Sequence, residues 1–479
     1  MKLSELLKYV QAKEIIGETD IEISGLCTDS QKVKNGDLFF CFAGGKHDSH
    51  ANMLEITGGG AVAIVCEKKL DCHVTQIVVE DGRAQIARVA QAFYNFADKK
   101  LKIIGITGTN GKTTITHMLA SIMSSNGHIV GVIGTLGINY CEKFIDPELT
   151  TPDPIYLYSV LADMADAGVE YVFMEVSAHA LYYDKIYGLV FEVGVFTNCT
   201  QDHLDFFGNM KDYADCKKLL FKEGRCKSAV VNSDDELGIE LLSSVNNAVS
   251  YGLKNPADVF AVDVVESLGG STFVINLADE LYEIKLCLPA IHNVYNALAS
   301  ASCARLLGVK MNVIAKGLFD LKKVPGRLER VAKYNGADIF VDFAHTPDGL
   351  EKSLQSLKKL CKGKLYCLFG CGGNRDKTKR PLMGKVASDY ADFCIITSDN
   401  PRYEDPYDII SEIEEGIKPT GKKYVTVSER DVATEYAIRL LEKDDILLVA
   451  GKGGEHYQEI MGIKHSYNDN TVIKNIIGG

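Results

Sequence analysis

The clearest chemistry in this sequence lies in the segment GITGTNGKTT, residues 105–114. It stands between an apolar stretch, KIIGIT, and a segment whose apolar residues recur at the spacing of one helix face. Backbone N–H groups of such a glycine loop bind phosphates, and the helix N-terminus adds a favourable dipole. Lys112 is placed to reach terminal phosphates, and Thr113 to bind Mg²⁺. The segment predicts an ATP site formed by Gly108, Thr109, Asn110, Gly111, Lys112, Thr113 and Thr114.

A second chemical group is Glu175, near the end of the apolar stretch YVFMEV. A carboxylate at the tip of a buried strand is suited to bind Mg²⁺ directly or through water. The alternative is a solvated glutamate at a strand end. We expect Glu175 to belong to the metal site.

Composition limits the classes of partner. The chain has 479 residues, which suggests about three domains. Its formal net charge of −12 disfavours nucleic acid and anionic membranes, so an anionic substrate needs a local basic site. The 14 cysteines form no CxxC pair, as expected for buried thiols in a reducing compartment.

Targeting features are weak. The N-terminal MKLSELLKYV has the spacing of a helix face and lacks the continuous apolar core of a signal peptide. No apolar run approaches the roughly 20 residues that span a bilayer. We expect a cytoplasmic protein without membrane insertion, and a monomer.

Apolar strands alternate with amphipathic helical stretches after residue 98, which predicts an α/β fold with mainly parallel sheets. The stretches VFAVDVV and TFVINLA, separated by LGGS, predict an antiparallel hairpin added to the middle domain. The turn VPGRLER separates a second, Rossmann-like series of strands and helices. We therefore place domains at residues 1–98, 99–325 and 326–479.

Several motifs resemble one family. The loop form TGTNGKT is similar to that of Mur ligases and the related folylpolyglutamate synthases. About a hundred residues precede the loop, including TDSQKVKNGDLFFCFAGGKHDSH, and this favours the Mur ligases, with their N-terminal uridine-nucleotide domain. MEVSAHAL and TNCTQDHLDFFGNMKDYADCKKLLF also resemble Mur ligase motifs. The resemblance covers nearly the whole chain.

For the metal site, the resemblance adds two residues to Thr113 and Glu175. It implies that His203 binds Mg²⁺ and that Lys217 carries a CO₂-derived carbamate, an anionic oxygen donor. It also makes Lys112, His203 and Lys217 the catalytic residues. From the residues alone, Lys217 beside Lys218 is typical of helix-surface charge, and His203 of a capping or core histidine.

Other candidate residues follow from the same resemblance. Further ATP contacts are expected from Asn293, Arg327, Asp342 and His345. Contacts with the uridine-nucleotide substrate are expected from Ser30, Thr150, Thr151, Ser177 and Lys185. Tyr183 and Lys185 stand where the family usually has glutamine and arginine. Each of these residues is also plausible as a cap or turn.

The third domain carries the motif TSDNPR, which in the family marks enzymes that add meso-diaminopimelate. The guanidinium of Arg402, the last residue of this motif, can pair with the distal carboxylate of meso-diaminopimelate and would repel the ammonium of lysine. The expected amino-acid site comprises Arg375, Asp399, Asn400, Arg402, Gly451 and Glu455. Three departures from the family pattern, Gly454, Asn374 and Asn468, bear on this specificity.

The expected activity is ATP- and Mg²⁺-dependent addition of meso-2,6-diaminopimelate to UDP-N-acetylmuramoyl-L-alanyl-D-glutamate, through an acyl phosphate, in peptidoglycan precursor synthesis. One alternative keeps this ligase chemistry but uses L-lysine or another amino acid, or belongs to a paralogous Mur-type ligase. Another is a regulatory ATPase with a phosphate loop that forms no amide bond. ATP turnover that depends on an amino acid would separate these two classes.

Overall fold

The computed structural model describes residues 1–43, 48–146 and 148–478. The letters GGKH of the first-domain motif, residues 44–47, lie outside the described residues. The chain forms two compact units, Met1–Ile104 with Ile129–Glu192, and Gly105–His128 with Val193–Gly479. The boundaries near residues 98 and 325 stay a prediction. Within the described ranges, no helix has the length and apolar character needed to cross a membrane.

The N-terminal part of the first unit is a five-stranded sheet with flanking helices. Its strands and helices are α1 (Leu3–Leu6), β1 (Ala12–Ile16), β2 (Gly25–Cys27), β3 (Asp37–Phe40), α2 (Met53–Gly58), β4 (Ala63–Cys66), β5 (Thr75–Val79) and α3 (Gly82–Phe93). The strand order is β1-β5-β4-β3-β2, and only β1 runs antiparallel to its neighbour. Leu38, Val65 and Ile77 from three strands are fully buried against α3. The sequence predicted the N-terminal helix, which has one α-helical turn followed by a 3₁₀ turn.

The strand β6 (Lys102–Thr107) enters the phosphate loop, and α4 (Lys112–Ser125) leaves it. The predicted apolar face of α4, which includes Ile115, Leu119 and Ile122, is buried. The first unit continues with β7 (Val130–Gly134), β8 (Gly137–Tyr140), β9 (Lys143–Ile145), α5 (Pro154–Asp166), β10 (Tyr171–Glu175) and α6 (Ala178–Tyr182). β10 pairs parallel with β7, and β7, β8 and β9 form an antiparallel meander that the sequence did not predict.

The second unit contains the rest of the nucleotide-binding region. Its next elements are β11 (Phe191–Phe196), α7 (Leu204–Phe207), α8 (Met210–Lys218), β12 (Cys226–Asn232), α9 (Glu236–Ser244), β13 (Ala248–Gly252), β14 (Val259–Ser267), β15 (Gly270–Leu277), β16 (Glu280–Leu286), α10 (Ile291–Leu306) and α11 (Met311–Asp320). β12, β13 and β14 pair in parallel. The predicted hairpin is β14 with β15, and β16 extends it by one antiparallel strand.

The remainder is a second α/β layer structure with a small hairpin. It contains β17 (Glu329–Tyr334), β18 (Ala337–Asp342), α12 (Pro347–Leu360), β19 (Leu365–Phe369), α13 (Lys379–Tyr390), β20 (Phe393–Ile396), α14 (Pro406–Ile417), β21 (Tyr424–Thr426), α15 (Arg430–Arg439), β22 (Ile446–Ala450), β23 (Tyr457–Ile460), β24 (Ile463–Ser466) and α16 (Asp469–Gly478). The six strands follow the order β17-β18-β22-β19-β20-β21. All neighbours pair in parallel except β17 with β18. The predicted α/β fold with mainly parallel sheets is confirmed.

Candidate active site

The phosphate loop needs its glycines because of its backbone and its neighbours. Gly108 and Gly111 have φ angles of +142° and +93°, which side-chain-bearing residues rarely adopt. A Cβ atom on Gly111 would lie 2.6 Å from Asn296 Oδ1, and one on Gly108 would overlap the Thr197 hydroxyl. The loop conformation therefore requires glycine at positions 108 and 111, because a larger residue there would collide with Thr197 or Asn296.

A neighbouring strand end fixes the loop in place. Thr109 N donates to the Asn198 carbonyl at 2.8 Å, and Asn110 N donates to Asn198 Oδ1 at 3.0 Å. Thr200 N donates to Thr109 Oγ1 at 3.1 Å, while Thr197 Oγ1 donates to the Asn110 carbonyl at 2.6 Å. Because these bonds join backbone to backbone and side chain, the loop is preorganised for a ligand.

Two cations stand at this loop. Lys112 Nζ donates to the carbonyls of Gly108 and Thr109 at 2.9 and 3.0 Å, so its ammonium folds back over the loop. Arg327 Nη2 donates to Thr113 Oγ1 at 2.7 Å, and its guanidinium lies 4.4 Å above the ring of Phe343. The structure thus brings the VPGRLER arginine to the phosphate loop.

Lys217 is buried, with 1% of its surface exposed. Its Nζ lies 4.0 Å from the centroid of the Tyr213 ring. Burial, and then the charge of Lys112, lowers the pKa of Lys217 to about 7. Lys218 instead extends to Asp215 and Glu240 at the surface, at 2.8 and 2.5 Å. The interpretation of Lys217 as surface charge is therefore wrong, whereas it is correct for Lys218.

Asp202 lies between two histidines that sequence reasoning singled out. Its Oδ2 is 3.4 Å from His203 Nε2 and 3.8 Å from His345 Nε2. Burial raises the pKa of Asp202, but His345, His203 and Lys379 together lower it to about 2. Sequence reasoning missed Asp202, although it precedes His203 directly and follows a strand end.

Two further candidate ATP-binding residues, Asp342 and Asn293, form side-chain hydrogen bonds with nearby backbone groups. The buried Asp342 carboxylate accepts from Leu328 N at 2.5 Å and Ala344 N at 2.7 Å. Burial raises the pKa of Asp342 to about 6, and Arg327 opposes that shift. Asn293 Nδ2 donates to the Pro289 carbonyl at 2.7 Å. These bonds shape the turns beside the loop, and ATP contacts of both residues stay a prediction.

Glu175 belongs to the first unit and is 1% exposed, so the solvated strand-end alternative is wrong. Its carboxylate accepts from Thr135 N at 2.8 Å and from Thr135 Oγ1 at 3.1 Å. The Thr135 hydroxyl also lies 3.1 Å from that of Thr150. The structure thus links Glu175 to one of the predicted substrate threonines.

The other candidate substrate residues of the first unit form small polar groups. Thr151 Oγ1 lies 3.2 Å from Ser177 Oγ and accepts from Ser177 N at 3.0 Å, and Ser177 caps α6. Lys185 Nζ lies 2.6 Å from Asp153 Oδ1. Ser30 Oγ accepts from Asn52 at 3.2 Å. The charge that Lys185 keeps at the family's arginine position is therefore already paired.

Arg402 is held by strand β23. Its Nε donates to Glu459 Oε2 at 3.0 Å and its Nη1 donates to the Gly373 carbonyl at 2.8 Å. The backbone of Arg402 has a φ of +53° and bonds to Glu459 and Met461 on both sides. Among the residues that the structure describes, no group accepts a hydrogen bond from Nη2. A cavity of about 500 Å³ is lined in part by Arg402.

A buried polar group accompanies Arg402. Lys452, fully buried, donates to Asn400 Oδ1 at 2.9 Å and to Glu455 Oε2 at 3.0 Å, and Asn400 Nδ2 donates to the same carboxylate oxygen at 3.0 Å. Gly451 has a φ of +109°, and a Cβ there would lie 2.5 Å from Asp399 Oδ2. Sequence reasoning missed Lys452, which holds Glu455 in place.

Two departures from the family pattern have structural uses. Asn374 has a φ of +51°, which asparagine tolerates better than most residues, and its Oδ1 accepts from Tyr403 N at 3.0 Å. Arg375 Nη1 donates to the Asn374 carbonyl at 3.2 Å. Asn468 Nδ2 donates to the Glu455 carbonyl at 2.9 Å. Both asparagines therefore support the amino-acid candidate residues.

Family models match two stretches of the chain. Residues 106–304 match the Mur ligase middle domain, and residues 326–453 match the glutamate ligase domain of Mur ligases. A Caldanaerobacter subterraneus subsp. tengcongensis protein named UDP-N-acetylmuramoyl-L-alanyl-D-glutamate--2,6-diaminopimelate ligase is 42% identical over 100% of this chain and 99% of its own. The chain belongs to the Mur ligase family.

Other relatives agree with this assignment. A Clostridium acetobutylicum protein with the same name, numbered 1, is 41% identical over 99% of this Mur ligase and 98% of its own chain. A solved structure of a UDP-N-acetylmuramoyl-L-alanyl-D-glutamate--2,6-diaminopimelate ligase has a TM-score of 0.71, 31% identity and coverage of 100% and 99%. A Thermotoga maritima MurF ligase in complex with ADP shares the fold, with a TM-score of 0.64, 19% identity and coverage of 95% and 96%.

The candidate metal-binding residues of this Mur ligase do not form a complete set of protein ligands around one position. Across residues 1–43, 48–146 and 148–478, no group of three or more His, Cys, Asp or Glu side chains has an arrangement that could hold a metal ion. In the second unit, the residues that could contribute are the Thr113 hydroxyl, the His203 imidazole and a modified Lys217. Mg²⁺ commonly binds through few protein oxygens together with substrate phosphates, which is compatible with such a sparse set.

Asp348, in the first turn of α12, connects the phosphate loop of this Mur ligase to its C-terminal sheet region. Its Oδ2 accepts from Asn110 Nδ2 at 2.9 Å, from Thr200 Oγ1 at 3.3 Å and from Lys352 Nζ at 2.9 Å. We expect Asp348→Ala to raise the KM for ATP about 3- to 10-fold, since one or two hydrogen bonds that position the loop are lost. Steady-state kinetics with varied ATP check this.

The matched control is Glu351→Gln, on the same helix, whose side chain contacts Gln355 and Tyr390 instead of the loop. This variant should keep the wild-type KM for ATP. An unchanged KM for ATP in Asp348→Ala would show that the contact with Asn110 does not position the loop.

Proposed function

We propose that this chain is an ATP-dependent ligase that adds meso-2,6-diaminopimelate to UDP-N-acetylmuramoyl-L-alanyl-D-glutamate. Relatives 39 to 42% identical over essentially the full chain carry the name of that reaction. The structural observation that carries the proposal is a phosphate loop with two cations, Lys112 and Arg327, beside the buried Lys217. This arrangement is suited to move a phosphoryl group onto a carboxylate.

The proposed reaction has two steps. Lys112 and the loop N–H groups hold the β- and γ-phosphates while a carboxylate oxygen of the peptide attacks the γ-phosphorus, which releases ADP and forms an acyl phosphate. The amine of the amino acid, having lost a proton, then attacks the acyl carbon. The nitrogen gives up one more proton, phosphate leaves with the former carboxylate oxygen and can take up that proton, and an amide remains. Arg327 and Lys112 offset the negative charge on the transferred group.

Mg²⁺ is proposed as the cofactor, and the residues present fit it. Thr113 offers a hydroxyl oxygen, a carbamylated Lys217 would offer an anionic oxygen, and His203 offers an imidazole nitrogen; Glu175 stays a predicted ligand. When bound, Mg²⁺ would neutralise phosphate charge. An unmodified, protonated Lys217 would repel it, whereas the lowered pKa of Lys217 leaves a neutral amine available to react with CO₂.

Amino-acid recognition is proposed to rest on Arg402 and Glu455. Glu459 on Nε and Gly373 on Nη1 fix the guanidinium and leave Nη2 for a ligand carboxylate. Glu455 Oε2 accepts from Lys452 and Asn400, while Oε1 accepts from no described residue. One cationic and one anionic group match the distal head of meso-diaminopimelate, which carries a carboxylate and an ammonium.

Arg402→Ala tests this specificity. We expect kcat/KM for meso-diaminopimelate to fall about 10- to 100-fold, since a charge-assisted hydrogen bond contributes about 1.5–3 kcal/mol. The KM for ATP should stay unchanged, because Arg402 bonds to Gly373 and Glu459, away from the loop. Initial rates with varied amino acid measure the effect.

Arg439→Ala is the control and should behave as wild type, because this exposed arginine pairs with no described residue other than Glu435. Equal losses with meso-diaminopimelate and L-lysine in Arg402→Ala would contradict a role for Arg402 in choosing between them.

The activity itself is tested by giving the purified protein ATP, Mg²⁺, the UDP-muramoyl dipeptide and either meso-diaminopimelate or L-lysine, with product masses as readout. We expect only the meso-diaminopimelate adduct. A lysine adduct alone would overturn the specificity, and ATP hydrolysis indifferent to the amino acid would favour a regulatory ATPase. We further propose a cytoplasmic monomer of three domains, 1–98, 99–325 and 326–479, without nucleic-acid partners.

A further inference from the structure

The start of helix α3 is anchored beside the end of strand β3. Gly82 N donates to Glu67 Oε1 at 3.0 Å, and Glu67 N donates to His50 Nε2 at 3.0 Å. Asp81 caps the helix by accepting from Ala84 N at 3.0 Å. A Cβ on Gly82 would overlap the carbonyl of Cys41, so the helix approaches the strand end closely. The backbone of the next residue, Arg83, is therefore fixed.

The Arg83 guanidinium contacts two aromatic rings. Its guanidinium carbon lies 4.6 Å from the centroid of Phe42 and 4.6 Å from that of Tyr183. Phe42 is itself held, because its N–H donates to Ser49 Oγ at 3.0 Å and its carbonyl accepts from the same hydroxyl at 3.1 Å. Contact with two rings limits the rotation of the guanidinium and so holds its N–H edges in place.

Those edges have no protein acceptor within the described residues. No hydrogen bond or ion pair of Arg83 exists in residues 1–43, 48–146 and 148–478, and the side chain is partly exposed. By contrast, Lys185, two residues after Tyr183, forms an ion pair in which its Nζ lies 2.6 Å from Asp153 Oδ1. Of Arg83 and Lys185, the arginine is therefore the cation without an acceptor among the described residues, and the lysine is already paired.

We propose that Arg83 binds the diphosphate of the uridine-nucleotide substrate. It would supply the planar guanidinium that Lys185 lacks, and such a fork can hold two phosphate oxygens at once. Tyr183 follows α6, whose cap is Ser177, so this ring contact lies on the same segment as a candidate substrate residue. A chain with a net charge of −12 needs such a local cation to bind a diphosphate. The inference rests on the proposed function, because it assumes that substrate.

The test measures binding of UDP and of uridine to the full chain by calorimetry. Variants are Arg83→Ala and Arg83→Lys, with Arg88→Ala as matched control, since Arg88 is on the same helix and lies 4.4 Å over Tyr187. Arg83→Ala should raise the Kd for UDP about 10- to 100-fold, the loss expected for a charge-assisted hydrogen-bonded pair. Arg83→Lys should show a smaller loss, and Arg88→Ala none.

Uridine separates phosphate binding from base binding. Arg83→Ala should leave the Kd for uridine unchanged, and thermal unfolding of each variant establishes that it is folded. Wild-type UDP affinity in a folded Arg83→Ala, or an equal loss for uridine and UDP, would overturn the assignment while leaving the proposed function intact. Absence of UDP binding by the wild type would overturn both.

Discussion

Lys112→Ala is expected to reduce amide formation by about 10³-fold or more, in the range seen when one preorganised charge that stabilises a transition state is removed. Lys112 Nζ is held by two loop carbonyls, so its charge is already in position before the nucleotide binds. Because the charge acts on the transferring phosphoryl group, kcat should fall more than affinity for ATP. Single-turnover measurement of ADP formation separates the two effects.

The control for this variant is Lys100→Ala, an exposed lysine before β6. It should retain full activity. If Lys112→Ala formed the amide at the wild-type rate, the phosphate loop would not be the reacting centre, and the proposed mechanism would fail.

Lys217→Ala is the second large effect, also about 10³-fold, because we expect it to remove an anionic oxygen donor from the metal site. Acetate or propionate should restore part of the activity, since a small carboxylate can occupy the space left by the side chain and supply the missing oxygens. The neighbouring Lys218→Ala, which removes only surface ion pairs, should stay fully active.

Carbamylation of Lys217 can be measured directly, separately from enzyme activity. With a pKa of about 7, the amine is mostly neutral above pH 7 and increasingly protonated below it, so carbamylation should decline as the pH falls through 7. Incubation with ¹³C-labelled CO₂ should give a carbamate resonance in the wild type and in Lys218→Ala, and none in Lys217→Ala. Full activity of Lys217→Ala, or no carbamate resonance in an active wild type, would contradict the role.

The phosphate loop could be predicted from sequence because its chemistry is local. Its glycines, lysine and threonine lie within a few residues of each other, and the flanking strand and helix are marked by apolar spacing. The β14–β15 hairpin was predictable for the same reason. The third strand, β16, was not, because its alternation of charged and apolar residues is too short to distinguish from a loop.

Residues that act across long sequence separations could not be identified in this way. Lys217 is typical of surface charge until the fold buries it against Tyr213 and near Lys112. Asp202 gains importance only when His345, 143 residues further along the chain, comes within 3.8 Å. Arg83 belongs to no motif, and its contacts with the rings of Phe42 and Tyr183 identify it.

Oxygen transfer is the most direct test of the central claim that ATP phosphorylates a peptide carboxylate. The acceptor carboxylate of the dipeptide substrate is labelled with ¹⁸O, and the inorganic phosphate released during amide formation is analysed by mass spectrometry. The acyl-phosphate route predicts one ¹⁸O atom in each phosphate formed with product. Phosphate free of label, formed together with the amide, would contradict it.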